Sequence, residues 1–214
     1  MECDASLVDV IVTRRENDPT AYRGIISMFP EVNLIEVEYV PGSVIQARMN
    51  LINYGSSPYI CWFDPDDILH PWGVRHLLNA LKSNMGIDGI MTLSDTGISG
   101  GKPRRIRFEE FHKYPVNCHL LRVIRRDWLN EHIEYFNNPV PEWALLAKLL
   151  LANSFVLPVI GYTWVPGDGA THQKINQQEI TATKRKVQEL LGDKYDYKSK
   201  IRAPHIGRKQ SWQT

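Results

Sequence analysis

The sequence has few cysteines, and their spacing builds no site. Cys3, Cys61 and Cys118 are an odd number, lie far apart and form no Cys-x-x-Cys pair. Zinc sites and disulfide frameworks both need paired or closely spaced cysteines. We therefore expect three reduced thiols, with Cys61 inside a buried strand, as is usual for cytoplasmic proteins.

Long apolar runs and an excess of one charge are also lacking. No apolar run approaches the roughly 20 residues that a helix needs to span a bilayer, and the first residues lack the basic-then-apolar pattern of a secretory signal. The formal net charge is +1, so no overall field selects a partner. With 214 residues, the chain is long enough for one domain with a substantial core. These features predict a cytoplasmic globular protein without a transmembrane segment.

The most informative stretch is residues 59–67, which read Tyr-Ile-Cys-Trp-Phe-Asp-Pro-Asp-Asp. Its apolar first half predicts a strand over 59–63 that is buried on both faces. Because side chains alternate along a strand, Asp64 and Asp66 are expected on one side and Asp67 on the other. Two neighbouring carboxylates repel unless a cation lies between them, which favours Mg²⁺ or Mn²⁺. The alternative is a solvated acidic turn before the next helix.

Strands and helices are predicted to alternate in the first half of the chain. Strands at residues 7–13, 33–40 and 59–63 are separated by helical patterns with capping residues. This order with short links predicts parallel strands joined by right-handed crossovers, with ligands at the carboxyl ends of the strands. The residues that fall at those ends are Thr13–Arg15, Glu38 and the acidic stretch.

The second half gives weaker signals. Residues 94–107 are polar and rich in glycine and arginine, which predicts a long loop that either acts as a lid, contacts anions or is simply solvated. The other predicted elements are helices at 71–81, 125–132, 141–153 and 174–191 and strands at 89–93, 117–124 and 155–164.

Three segments, taken in order, resemble the family-2 glycosyltransferases, which are nucleotide-sugar enzymes of the GT-A fold. They are Val-Ile-Val-Thr at 10–13, Gln-Ala-Arg-Met-Asn at 46–50 and the acidic stretch at 59–67. The resemblance covers the first half of the chain well and the second half loosely. It implies an α/β fold with a single GT-A-like domain, a mostly parallel Rossmann-like sheet flanked by helices, and a C-terminal helix with a basic tail.

The resemblance also implies a division of the chain. The catalytic domain would span residues 1–173, with a nucleotide-sugar half to about residue 95 and an acceptor half from residue 96. Residues 174–214 would form the C-terminal helix and the basic tail.

The implied activity is metal-dependent, inverting transfer of a sugar from a nucleotide diphosphate sugar, with a UDP-sugar expected, to an acceptor hydroxyl. The residues expected to hold Mn²⁺ or Mg²⁺ are Asp64, Asp66 and His172. The residues expected to contact the donor are Thr13, Arg15, Glu38, Arg48 and Asp64.

Glu142 is the candidate catalytic base. It lies beside Trp143 at the start of a predicted helix, where it resembles the acidic motif that supplies the base in the family. Inversion requires a base on the face opposite the leaving group. The alternative is that Glu142 is only a first-turn acid that interacts favourably with the helix dipole.

The chain departs from the family pattern in two places. Arg14 and Arg15 follow the first strand, where the family often has an aromatic residue or Asn. Glu36 or Glu38 replaces the aspartate that usually contacts the base, so either glutamate is a candidate.

Two other functions share some of these features. A nucleotidyltransferase would share the carboxylates but needs a glycine-rich phosphate loop, and residues 13–18 contain no glycine. A non-catalytic nucleotide-sugar or nucleic-acid binding module would bind nucleotide without turnover.

Basic residues far outnumber acidic ones after residue 180, and Tyr197 and Trp212 offer faces for stacking. Arg122, Arg125, Arg126 and the 102–107 segment add to this charge. A soluble polyanion is therefore one hypothesis for the acceptor, with hydroxymethylated DNA as its most specific form. A saccharide or a protein hydroxyl is the alternative, and the basic tail could also be only solvated.

Overall fold

The chain folds into strands and helices in nearly the order that the sequence predicts. The computed structural model describes residues 9–15, 20–30, 32–39, 44–64, 67–94, 96–99, 102–105, 121–136, 141–163, 165 and 177–192. The strands are β1 (Asp9–Arg14), β2 (Asn33–Glu38), β3 (Tyr59–Cys61), β4 (Ile68–Leu69), β5 (Gly89–Ser94), β6 (Thr96–Ser99), β7 (Lys102–Arg105), β8 (Arg122–Arg125) and β9 (Ser154–Thr163). The helices are α1 (Ala21–Ile26), α2 (Val44–Ile52), α3 (Pro71–Ser83), α4 (Arg126–Glu131), α5 (Pro141–Leu151) and α6 (Gln177–Leu191), with a 3₁₀ helix at Ile133–Tyr135.

The strands form a mixed sheet with the order β3-β8-β5-β9-β4, and β1 pairs with β2 in parallel. Strands β5 and β9 are also parallel, whereas β8 runs antiparallel to β3 and β5, and β4 antiparallel to β9. The α/β fold is therefore confirmed, although the described strand pairs are more mixed than a mostly parallel sheet. The direction of β4 and β8 cannot be predicted from their sequences, because strands this short carry too little pattern.

The core has two apolar clusters, one on each face of the five-stranded sheet. Neighbouring residues of one strand contribute to different clusters, as Ile90 and Met91 of β5 do, because side chains alternate across a sheet. Helix α3 covers one face through Leu77, and helices α4 and α5 cover the other. Strand β5 is buried along its whole length, so it is the centre of the sandwich.

The prediction for residues 59–63 is wrong in its burial and its length. Strand β3 ends at Cys61, which is exposed, and lies at the end of the described strand order. The apolar run has another cause. Trp62 stacks on Phe136 with ring centroids 5.2 Å apart, and Phe63 meets Tyr162 edge-on at 6.1 Å. The aromatic residues therefore anchor the segment after the strand rather than extend the strand.

The loop predicted at 94–107 is also wrong, because β6 and β7 form an antiparallel hairpin there. Ser99 lies opposite Lys102 in the register, and the two residues between them are Gly100 and Gly101. A Gly-Gly pair between strands is a common hairpin sequence, so the signal was present in the sequence.

Helix α3 approaches β9 through two glycines. A Cβ on Gly73 would lie 2.5 Å from the Gly161 Cα, and a Cβ on Gly161 would lie 2.2 Å from Thr92 Oγ1. Both separations are far inside van der Waals contact. The start of α3 can therefore reach the sheet, just beyond the acidic stretch, only because these positions lack side chains.

We predict that Gly73→Ala destabilises the protein. Overpacking costs ~1–3 kcal/mol, which should outweigh the ~1 kcal/mol by which alanine is favoured over glycine in a helix. The control is Gly24→Ala in α1, where no described atom lies within 4 Å, and this variant should be neutral or stabilised. Urea denaturation of both variants measures the difference, and equal free energies of unfolding would contradict the close approach of α3.

Candidate functional site

The link between α2 and β3 is held by Arg126. Its guanidinium donates to the carbonyl oxygens of Ser57 at 2.9 Å and Tyr54 at 3.2 Å, and to that of Ile52. The last carbonyls of a helix have no partner within the helix, so Arg126 supplies the donors that the end of α2 needs. The backbone amide of Arg126 also donates to Pro58 O at 2.8 Å.

Asp9 at the start of β1 contacts the same link. Its carboxylate accepts hydrogen bonds from Asn33 Nδ2 and from the Ser56 amide, each at 2.9 Å. The bond from Asn33 first, and then that from Ser56, hold the pKa of Asp9 below its usual value. Gly55 has a positive φ of 74°, and a Cβ there would lie 2.8 Å from Asp9 Oδ2. The link thus ties the β1–β2 pair to the larger sheet.

Arg48 and Asp64, two of the residues that the resemblance assigns to the donor, lie in contact. Arg48 Nη2 lies 2.5 Å from Asp64 Oδ1. The Arg48 side chain is only 16% exposed, whereas that of Asp64 is 46% exposed. The carboxylate of Asp64 is therefore paired with the guanidinium of Arg48 and is still partly accessible to solvent.

Arg122 joins this pair. It begins β8, which runs antiparallel to β3, so it lies beside the carboxyl end of β3. Arg122 is half-buried. This burial is the main cause that lowers the pKa of Arg122 to about 10, and the positive charge of Arg48 is the second. The nearby charge of Asp64 acts in the opposite direction. Arg122 therefore adds a second positive charge near the Arg48–Asp64 pair at this strand end.

Asp67 has a structural role. It is 8% exposed and accepts hydrogen bonds from the Tyr162 hydroxyl and, at 2.7 Å, from the Val165 amide. Its own amide donates to Asp64 O at 3.1 Å. Asp67 thus fixes the acidic stretch to the end of β9, while Asp64 faces Arg48.

The ends of β1 and β2 carry three predicted donor residues. Thr13 is half-buried in β1, and Glu38 is exposed at the end of β2, opposite Arg14 in the register. The Arg15 guanidinium lies over the Tyr39 ring, 4.3 Å from its centroid. These positions are the strand ends where the sequence predicted them.

Glu36, the other candidate for contacting the base, has partners within the protein. Arg23 Nε donates to Glu36 Oε1 at 2.7 Å, and Arg23 Nη2 and the Tyr22 hydroxyl also donate to this carboxylate. The hydrogen bonds from Arg23 first, and then from Tyr22, lower the pKa of Glu36 to about 2. Glu36 therefore joins α1 to β2.

Three predicted site residues lie wholly or partly outside the description. Asp66 and His172 are outside the described residues, and for Glu142 the structure describes the backbone at the start of α5 but not the side chain. Helix α5 packs on the same sheet face as Ile52 and Trp62. Within the described part of the chain, no group of three Asp, Glu, His or Cys residues could hold a metal ion.

The sequence does not reveal the structural roles of two arginines. Arg122 and Arg126 are indistinguishable there from other basic surface charge, as is Arg125, which pairs with Asp88 at 2.7 Å. The only local signal was the position of these basic residues at the two ends of a short apolar strand. Among the described helices, none is long and apolar enough to cross a membrane.

Solved structures show which fold this is. Crystal structures of S. aureus TarS 1-349 match with TM-scores of 0.60 for the protein alone, at 14% identity, and 0.58 in complex with UDP, at 12% identity. The complex with UDP-GlcNAc matches with a TM-score of 0.58 at 13% identity. The match to TarS alone covers 90% of the chain and 58% of TarS 1-349. The match to the UDP complex covers 92% of the chain and 60% of TarS 1-349. The match to the UDP-GlcNAc complex covers 90% and 60%.

At these identities the similarity shows the fold alone. The chain has the GT-A fold, the class that the sequence resemblance implied. It spans about 60% of the length of the TarS structures. No protein-family model and no curated protein sequence matches the chain.

The partners of Glu36 lead to a prediction about acid stability. A carboxylate whose pKa is lowered on folding stabilises the folded state above its unfolded pKa of about 4.5, and this stabilisation is lost as the pH falls from there through about 2. Glu36→Gln removes the titrating group. The free energy of unfolding should therefore fall less steeply below pH 4.5 in this variant than in the wild type.

Urea denaturation at several pH values between 6 and 3 measures this slope. Glu134→Gln is the matched control, because Glu134 is exposed on the 3₁₀ helix, and it should retain the wild-type slope. Identical slopes for Glu36→Gln and the wild type would show that the Arg23 and Tyr22 contacts do not persist in solution.

Proposed function

We propose that the protein is a glycosyltransferase that moves a sugar from a nucleotide diphosphate sugar, most simply a UDP-sugar, to an acceptor hydroxyl. The observation that carries the proposal is the meeting of Arg48, Asp64 and Arg122 at the carboxyl end of β3. Guanidinium groups match phosphoryl oxygens in charge and geometry. TarS, which has the same fold, has been crystallised with UDP and UDP-GlcNAc, and this supports the choice of donor.

The proposed metal ion is Mn²⁺ or Mg²⁺, held by Asp66 with Asp64 and His172. The described residues fit such an ion in one respect. Arg48 contacts Oδ1 of Asp64, and the side chain stays 46% exposed, so the carboxylate can still offer an oxygen to a hard cation. When bound, the ion would supply positive charge to the diphosphate leaving group.

The nucleoside is proposed to lie at the ends of β1 and β2, near Thr13 and Arg15. Of the two candidate glutamates, Glu38 is the better one for contacting the base. It is exposed at the end of β2, whereas Glu36 already accepts hydrogen bonds from Arg23 and Tyr22.

Glu142 is proposed as the catalytic base. It would take the proton of the acceptor hydroxyl as the oxygen attacks the anomeric carbon from the face opposite the diphosphate, which inverts the configuration. The position of Glu142 in the first turn of α5 supports this role, because α5 packs on the sheet face that also carries Ile52 at the end of α2.

Two variants should fail in different ways. Asp66→Asn should abolish sugar transfer and lose the extra thermal stabilisation that Mn²⁺ adds to UDP, because it removes a charged metal ligand. Glu142→Gln should keep that stabilisation, but its transfer rate should fall by ~10²–10⁴, the usual contribution of a positioned base. A panel of nucleotide-sugars with Mn²⁺, scored for release of nucleoside diphosphate, and thermal melts measure both effects.

Asp127→Asn is the control, because Asp127 is an exposed first-turn acid of α4, and it should retain full activity. Full wild-type activity in EDTA would contradict the metal assignment. If the transfer rate of Glu142→Gln falls less than tenfold, Glu142 is not the base and is only an acidic residue that interacts favourably with the helix dipole. Binding of UDP without turnover of any donor would favour the non-catalytic binding module.

The proposed acceptor is a hydroxyl-bearing polyanion, with hydroxymethylated DNA as the specific hypothesis and a saccharide or protein hydroxyl as the alternative. Lys184, Arg185 and Lys186 are exposed on α6, which supports a basic surface there. Arg125 does not add to it, because its charge is paired with that of Asp88.

Binding of duplex DNA should weaken steeply between 50 and 200 mM salt, because phosphate contacts release counterions. Truncation after Gly192 should reduce both the affinity and the salt dependence, since it removes most of the basic tail. Fluorescence anisotropy with a labelled duplex measures both quantities. Equal and negligible binding by the full chain and the truncated chain would rule out the nucleic-acid acceptor and favour the saccharide or protein.

A further inference from the structure

We propose that Arg48 and Arg122 form a two-guanidinium binding site for a phosphoryl group, through which the protein binds the diphosphate of its donor without a metal ion. This inference rests on the proposed function, because it names the ligand group as the diphosphate of a nucleotide-sugar. It adds Arg122, from a different part of the chain, to the donor site.

The strand pairing places Arg122 at this site. Strand β8 runs antiparallel to β3 with Tyr59 opposite Arg125 and Cys61 opposite Val123. Arg122 is therefore one residue beyond the last pair and lies alongside the segment that leads from β3 to Asp64. A residue more than 50 positions away in the sequence thus reaches the carboxyl end of β3.

Arg48 reaches the same place from α2. Its guanidinium contacts Asp64 Oδ1 at 2.5 Å, and its side chain is 84% shielded from solvent. The end of α2 is fixed in turn by the carbonyl contacts of Arg126. The guanidinium of Arg48 is therefore held by the fold, and a ligand would not have to order this side chain.

The electrostatics favour an anion between the two groups. Arg122 is half-buried, and this burial first, and then the positive charge of Arg48, lower its pKa to about 10. Arg122 is still protonated at neutral pH, so the two like charges repel each other. A phosphoryl group between them would attract both, and its oxygens can accept paired hydrogen bonds from each planar guanidinium.

Asp64 explains why the two cations can be held close together before a ligand binds. Its carboxylate is bonded to Arg48 and its charge also acts on Arg122. Because Asp64 is partly exposed and Arg122 is only half-buried, a phosphoryl group can approach this strand end from the solvent side.

The test is isothermal titration calorimetry on the full chain in EDTA with three probes, UDP, uridine and inorganic pyrophosphate. The wild type should bind UDP and pyrophosphate without metal. Arg122→Gln should weaken both by at least tenfold and leave uridine binding unchanged, because uridine carries no phosphate. Arg122→Lys keeps the charge but loses the planar set of N–H donors. Its affinities for UDP and pyrophosphate should therefore lie between those of the wild type and of Arg122→Gln.

Arg75→Gln is the matched control, because Arg75 is exposed on α3, and it should bind all three probes like the wild type. Unchanged uridine binding shows that Arg122→Gln is folded around the site. If Arg122→Gln does not fold, Arg122→Lys carries the test alone, with a smaller but measurable loss for UDP and pyrophosphate and none for uridine.

Two results would overturn the inference but not the proposed function. One is wild-type binding of UDP in Mn²⁺ but none in EDTA, and the other is equal UDP and pyrophosphate affinity in Arg122→Gln and Arg75→Gln. A third result would support this inference and contradict the proposed donor. Pyrophosphate binding that depends on Arg122, without any UDP binding with or without Mn²⁺, would support the phosphoryl site and overturn the UDP-sugar donor.

Discussion

The geometry of the site depends on the contacts that Arg126 makes with the link between α2 and β3. The guanidinium bonds to carbonyls at the end of the helix and just before the strand. Hydrogen bonds from a charged donor contribute ~1.5–3 kcal/mol each, so this residue holds the link strongly. Arg48 precedes the link and Asp64 follows it, so the half-buried Arg126 helps to hold the segment that joins these two side chains.

The second constraint acts on the acidic stretch itself. Trp62 packs on Phe136, and Asp67 accepts a hydrogen bond from Tyr162. The two contacts are made with different parts of the fold, Phe136 before α5 and Tyr162 in β9. The described residues on either side of positions 65 and 66 are therefore each anchored. Asp64 can be exposed and still have a defined position, as the side chains of a functional site must.

Local patterns in the sequence predicted most of the elements, because periodicity and capping act over a few residues. Helix α3 and strands β5 and β9 are found within three residues of their predicted bounds. The roles of Arg122 and Arg126 could not be predicted, since they depend on how β8 pairs with β3, more than 60 residues earlier. The burial of residues 59–63 was predicted wrongly for a related reason. Aromatic residues give the same apolar signal whether they extend a strand or anchor the segment after it.

The arrangement of charge explains why a nearly neutral chain can still have a strongly cationic point. The formal net charge of the whole chain is +1, yet two guanidinium groups share one described strand end. Partial burial of the Arg122 charge is unfavourable, as the fall of its pKa to about 10 shows. This unfavourable term is part of the free energy of folding and is therefore already present before a ligand binds. Charges fixed in this way need no reorganisation when negative charge develops on a leaving group.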